Sequence, residues 1–141
     1  MKKLQVKKSF RPIPTSDGDE IFRNGIFEFN ISKIVEHINA NPHQFKVELV
    51  TIRIFRLFEP SCLDEPTIVS ADLTKPIILA EIAPDRMNVI DGNHRVEKAF
   101  RNKVDQLPAY TLRVNDHINF LTSVEAYKEY INYWNSKICS R

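Results

Sequence analysis

Glycine is scarce in this chain, with three among 141 residues. That excludes a conventional glycine-rich phosphate loop, and neither a Walker motif nor a dinucleotide glycine pattern is present. Cysteine is scarcer still. Cys62 and Cys139 lie far apart, form no C-x-x-C pair and cannot build a disulfide framework. No apolar run approaches a membrane span. Met1-Lys2-Lys3-Leu4-Gln5-Val6-Lys7-Lys8 begins like a secretory signal but lacks the apolar middle. A cytoplasmic chain with no membrane partner is the expectation. His37, His43, His94 and His117 have no paired ligand spacing, so no metal site is expected. Nor is there an excess of one charge: 20 basic and 18 acidic residues leave +2, too little to argue for nucleic acid on bulk electrostatics. The basic residues do cluster at Lys2, Lys3, Lys7, Lys8 and Arg11. A solvated, partly frayed terminus is the expectation there, and nucleic acid as a partner has only this weak support.

What is present points to one folded α/β domain over residues 1–141. The length suits a single domain, and 43% hydrophobic residues supply a core. Arg11 to Gly18, with Pro12, Pro14 and an Asp17-Gly18 turn, reads as a loop. Ile26 to Phe29 reads as a short strand. Asn30 should cap a helix whose buried stripe is Ile31, Ile34, Val35 and Ile38, ending at Asn41-Pro42. Val47 to Phe58 predicts a long strand, from which Arg53 or Arg56 could face a pocket. Glu59 to Thr67, with Pro60 and Pro66, predicts a loop, and Thr67 to Val69 a short strand. Ile77–Ile82 and Met87–Ile90 should form a hairpin, and Leu107 to Val114 the last strand. Thr122-Ser123-Val124-Glu125 has capping-box form. It predicts a C-terminal helix over 123–138 with Val124, Tyr127, Ile131, Trp134 and Ile138 on its core face.

The most informative stretch runs from Met87 to Phe100. It reads as a strand, an Asp91-Gly92 turn and a helix opening with Asn93, His94 and Arg95 and running to about Asn102. Val96, Ala99 and Phe100 share a helical face, which an Asp-Gly hairpin with a return strand would not produce. A helix start offers unpaired N–H groups and roughly half a positive charge. Gly92 lets the backbone approach a ligand, and Arg95 adds a forked cation one turn in. Together these make an anion site, most naturally for phosphate.

Ile90-Asp91-Gly92-Asn93-His94-Arg95, then Ala99, then Leu107-Pro108-Ala109-Tyr110, resembles the signature of the ParB/sulfiredoxin-like superfamily. Lys75-Pro76-Ile77-Ile78-Leu79 resembles that family's Pro-Ile strand before the turn. The resemblance covers about residues 75–114, and it implies a small α+β fold with a mixed sheet. In the family the turn and helix start hold nucleotide phosphates: ATP in sulfiredoxins and free serine kinases, CTP in chromosome-partitioning proteins. Sulfiredoxins carry a reactive Cys after the glycine. Asn93 stands there and cannot form a thiolate, so sulfinic-acid reduction is not expected. The partitioning proteins have Gly-Glu-Arg-Arg and a further helix-turn-helix domain, for which no room is left after residue 114. The nearest variant is the Asp-Gly-His-His-Arg of the free serine kinases, from which Asn93 alone differs. Those enzymes also use an acidic residue early in the chain, and Asp17, Asp19 and Glu20 are all candidates.

The resemblance implies binding of ATP or another nucleoside triphosphate, CTP included, with Mg²⁺, at Gly92, Asn93, His94, Arg95 and Lys98. Phosphoryl transfer to a small hydroxylated acceptor is the activity it suggests, with Asp91 and His94 in catalytic roles. Asp91 could orient Arg95, bind Mg²⁺ or act as a base; it could equally only shape the turn. His94 could donate to a phosphate or act as an acid; it could equally hydrogen-bond a neighbouring loop. Lys98 could reach the same phosphate or face solvent. The alternatives are a non-catalytic nucleotide- or DNA-binding module of a phage, plasmid or defence system, and a ParB-like nuclease. The absence of an acidic metal cluster disfavours the nuclease.

Overall fold

Asn30 closes one element and opens the next. It is the last residue of strand β2 (Phe27–Asn30), which pairs antiparallel with β1 (Ile21–Asn24) across Gly25. It is also the N-cap of helix α1 (Ile31–Ala40), its side-chain oxygen accepting from the Lys33 amide at 3.0 Å. The computed structural model describes residues 2–55 and 63–139. The expected strand, cap and helix end are all present, while β1 gave no clear signal of its own. Within the expected stripe, Ile31, Ile34 and Ile38 are buried, but Val35 is exposed.

The chain folds as mixed α and β. A four-stranded sheet has the order β3-β6-β4-β5, built from β3 (Glu48–Thr51), β4 (Ile77–Ala83), β5 (Arg86–Asp91) and β6 (Gln106–Leu112). β4 and β6 run parallel; β3 pairs antiparallel with β6, and β5 with β4. Alternate residues of a strand face opposite ways, and here both faces are covered. Ile77, Leu79, Val89, Leu107 and Ala109 meet Val96 and Ala99 of helix α3 (Asn93–Arg101). On the other face Ile78, Ala80, Ile82, Ile90 and Leu112 meet α1, the β1–β2 hairpin and the terminal helix. Every residue of β4 is consequently buried, as a strand covered on both faces requires.

Three connections differ from the sequence reading. The long strand expected from Val47 is short. β3 ends at Thr51 and a single 3₁₀ turn, Arg53–Phe55, follows. That turn buries Phe55 and leaves Arg53 and Ile54 exposed. Arg56, Phe58 and Cys62 lie outside the described residues. Thr67 to Val69 is helical, within α2 (Glu65–Ser70). Asp64 caps α2 through the Thr67 amide, and Pro66 sits in its first turn, where a missing N–H costs nothing. Finally β6 stops at Leu112, and Val114 starts a short helix α4 (Val114–His117), followed by a 3₁₀ turn, Ile118–Phe120.

The terminal helix α5 (Val124–Cys139) matches expectation in extent. Its cap is one residue later than the pattern implied: Ser123, rather than Thr122, accepts from the Ala126 amide at 3.0 Å. Thr122 instead donates to Glu28 at 2.8 Å. Tyr127, Tyr130, Ile131 and Trp134 are buried, whereas Val124 is exposed. The basic N-terminus is docked, not frayed. Leu4 pairs through both its amide and its carbonyl with Asn135, and Phe10 stacks on Tyr127 at 3.8 Å. No helix among the described residues is long and apolar enough to cross a membrane.

Candidate functional site

β5 delivers Asp91, its last residue, to a sharp turn at Gly92. The glycine adopts φ 104° and ψ 22°, a left-handed conformation that side chains disfavour. Its environment is also closed. A Cβ built there would meet the Ile77 Cγ2 at 2.5 Å, the Arg95 Nη2 at 2.8 Å and the Arg95 Nε at 3.0 Å. Both the conformation and the space therefore demand glycine. No side chain caps the start of α3, and its first backbone bond runs from Val96 N to Gly92 O at 3.0 Å. The earlier amides of the helix point outward with the positive end of its dipole.

Arg95 folds back over this helix start. Its Nη2 lies 3.3 Å from the Asp91 carboxylate, and the side chain is only 17% exposed. Its Nε is buried and has no hydrogen-bond partner. An orphan buried donor costs about 1–3 kcal/mol, and native structures keep few of them. A guanidinium pressed on a glycine, with one donor unused, is poised for an anion at the helix start.

Of the early acidic residues, Glu20 is the one whose charge is coupled to Asp91 and Arg95. Glu20 precedes β1, and the hairpin returns it to the start of α1. The Ile31 amide donates to the Glu20 carbonyl at 2.9 Å, and the Glu20 amide to Ser32 Oγ at 2.8 Å. Asp19 clamps the same loop, accepting from the Ser16 amide and the Asn30 side chain. Those two bonds, the Asn30 one above all, hold its carboxyl below the usual range. Glu20 is exposed as a residue, yet partial desolvation pushes its carboxyl above the usual range. The Asp91 charge pushes the same way, and Arg95 opposes. Glu20, Asp91 and Arg95 thus form one electrostatic cluster. Sequence alone could not single out Glu20, because the hairpin that returns it is a tertiary arrangement.

The remaining predicted residues lie along α3. Asn93 donates from its side-chain amide to Val89 O at 3.4 Å. His94 Nε2 accepts from the Asp64 amide at 3.2 Å. Lys98 donates to the Val69 and Ala71 carbonyls at 2.9 and 2.7 Å, closing the end of α2. Arg101 forks onto Glu65 at 2.7 and 2.9 Å and also reaches Glu97. His94, Lys98 and Arg101 sit one turn apart on a single face. Together they form a polar clamp on α2, a role that only the fold makes visible.

Chemically, the arrangement can hold an anion at Gly92–Arg95 and accept a proton at Glu20 or Asp91. Among the described residues, no group of three or more His, Cys, Asp or Glu side chains could hold a metal ion by itself. Comparison with family models, curated proteins and solved structures returned no match.

Proposed function

We propose that the chain is a nucleotide-binding domain of ParB/sulfiredoxin type that holds phosphates at the start of α3 and transfers a phosphoryl group to a small hydroxylated acceptor. One observation carries this reading: Arg95 lies against a glycine whose positive φ and close neighbours disfavour any side chain, and its Nε is buried without a partner among the described residues. The helix amides and Arg95 would bind phosphate oxygens and oppose the charge that spreads over them in transfer. Mg²⁺ bound with ATP or CTP would neutralise phosphate charge, and Asp91 would be its protein ligand. Glu20 would draw the proton from the acceptor hydroxyl. Its raised pKa makes it a stronger base than an ordinary glutamate, closer to what proton transfer near neutral pH requires.

A non-catalytic binding module is the second reading. It is favoured by the use of His94 and Lys98, whose polar atoms hold α2. Thermal-shift screening of ATP, ADP, CTP and GTP with Mg²⁺ tests both, followed by transfer assays with hydroxylated acceptors on any hit. Stabilisation with acceptor-dependent turnover supports the transferase. Stabilisation without turnover supports the module, and no stabilisation by any nucleotide refutes both.

A further inference from the structure

Charge is distributed unevenly along this chain. Residues 2–11 carry five basic side chains and no carboxylate. With five of the 20 basic residues there, the remainder holds 15 against 18 acidic, a net charge of −3. A near-neutral total therefore conceals a segment of opposite sign to the body that bears it.

The segment is fixed rather than trailing. At one end the Leu4 amide donates to Asn135 Oδ1 at 2.8 Å, and Asn135 Nδ2 donates to Leu4 O at 2.9 Å. In the middle the Lys7 amide donates to the Tyr127 hydroxyl at 2.9 Å. At the other end Phe10 stacks on Tyr127, with ring planes 1° from parallel. Leu4 and Phe10 face inward, while Lys2, Lys3, Lys7, Lys8 and Arg11 are exposed. Among the described residues no carboxylate forms an ion pair with any of the five; Arg11 donates instead to the Lys8 and Phe10 carbonyls of the strap itself, at 3.2 and 2.8 Å. Beside the strap runs a cleft of about 620 Å³ with an apolar floor that includes Leu4, Ile13 and Ile131, bordered by Lys7, Arg11, Asn115 and Asn119.

We infer that this pinned basic strap is a docking surface for the phosphate backbone of a nucleic acid. Unpaired cations on an ordered backbone bind a polyanion without first losing chain entropy. Carboxamides beside them can hydrogen-bond phosphate or sugar, the contacts that position a nucleic acid without reading its bases. A lipid surface fits less well. Membrane-lying segments present a broad apolar face with their cations, and here Val6 is the one exposed apolar residue of the strap.

The test uses the whole chain and a short fluorescein-labelled DNA duplex, read by anisotropy as salt rises from ~50 to ~200 mM. With five phosphates neutralised, the log–log salt slope should be about −4.5, and it should fall to about −1 when K2Q, K3Q, K7Q and K8Q are combined. That variant should lose more than about tenfold in affinity at the low-salt end. Its thermal unfolding midpoint should be unchanged, because the lysines are exposed. A matched variant at exposed lysines elsewhere, K46Q, K75Q and K103Q, should keep affinity. An RNA strand of equal length reports whether the sugar matters. The inference is overturned by an unchanged slope in the strap variant, or by equal losses in the matched variant. It is also overturned by no binding at low salt, or by binding to phosphatidylserine vesicles without binding to either nucleic acid. None of these outcomes depends on nucleotide binding at Gly92.

Discussion

Gly92→Ala should damage both stability and binding, and Gly25→Ala provides the internal control. Both glycines have positive φ, 104° and 60°, so both substitutions incur the left-handed cost, about 1–2 kcal/mol. They differ in surroundings. Nothing lies within 4 Å of a Cβ at Gly25, while at Gly92 the nearest atom is Ile77 Cγ2 at 2.5 Å. Ile77 is fully buried in the packed face beneath α3, so it cannot move aside freely. Overpacking of that kind adds about 1–3 kcal/mol. Gly92→Ala should therefore cost about 2–5 kcal/mol and Gly25→Ala only the first part, measured by urea denaturation with an unchanged m-value. Native stabilities are themselves about 5–15 kcal/mol. Because the added methyl also displaces the guanidinium at 2.8–3.0 Å, the folded fraction should bind nucleotide more weakly. Equal destabilisation of the two variants, with unchanged nucleotide affinity at Gly92→Ala, would refute the reasoning.

Three further outcomes follow from the geometry. Glu20→Gln should keep nucleotide affinity and lose most turnover; the wild-type rate should rise with pH on a limb lying above the usual glutamate range, and a variant that keeps that limb would remove Glu20 from the chemistry. Lys98→Met should speed amide exchange in α2, whose last carbonyls lose their donor, yet change nucleotide affinity less than about tenfold; a larger loss would put the ammonium on the phosphate. His117 is buried, donates from Nε2 to Glu81 O at 2.8 Å, and has its pKa pushed down to about 4 by desolvation. The unfolded chain takes up that proton near pH 6.5 and the folded chain does not, so stability should fall as pH drops from 6.5 towards 4, by about 3 kcal/mol at most. Denaturation midpoints measured across that window, with His117→Phe as the comparison, check this; an equal slope in both proteins would count against it.

The local signals in this sequence were reliable where the physics is local. Asn30, the Asp91-Gly92 turn and the buried face of Val96 and Ala99 each specify their own geometry, although Phe100, read on that same face, is 42% exposed. The hairpin at Ala83–Arg86 and the strand from Leu107 were legible for the same reason. The failures are tertiary. Ile52 and Ile54 alternate like strand residues, but burying Phe55 required a 3₁₀ turn. Ile68 and Val69 have strand character, yet an Asp64 cap, Pro66 in the first turn and the Lys98 clamp favour a helix. In the candidate site, Gly92 and Arg95 were legible because neighbours in sequence form the cradle. Glu20 was not, since only the β1–β2 hairpin carries it to Asp91 and Arg95.

The central claim is that phosphates bind at the start of α3, and calorimetry of wild type and Arg95→Ala with the best nucleotide of the screen tests it most directly. Removing one charge-assisted partner should cost about 1.5–3 kcal/mol, a loss of roughly 10- to 150-fold in affinity. The fold should survive, because among the described residues the side-chain tie of Arg95 is the one to Asp91 at 3.3 Å, and its Nε has no partner. An unchanged dissociation constant in a folded variant would contradict the account.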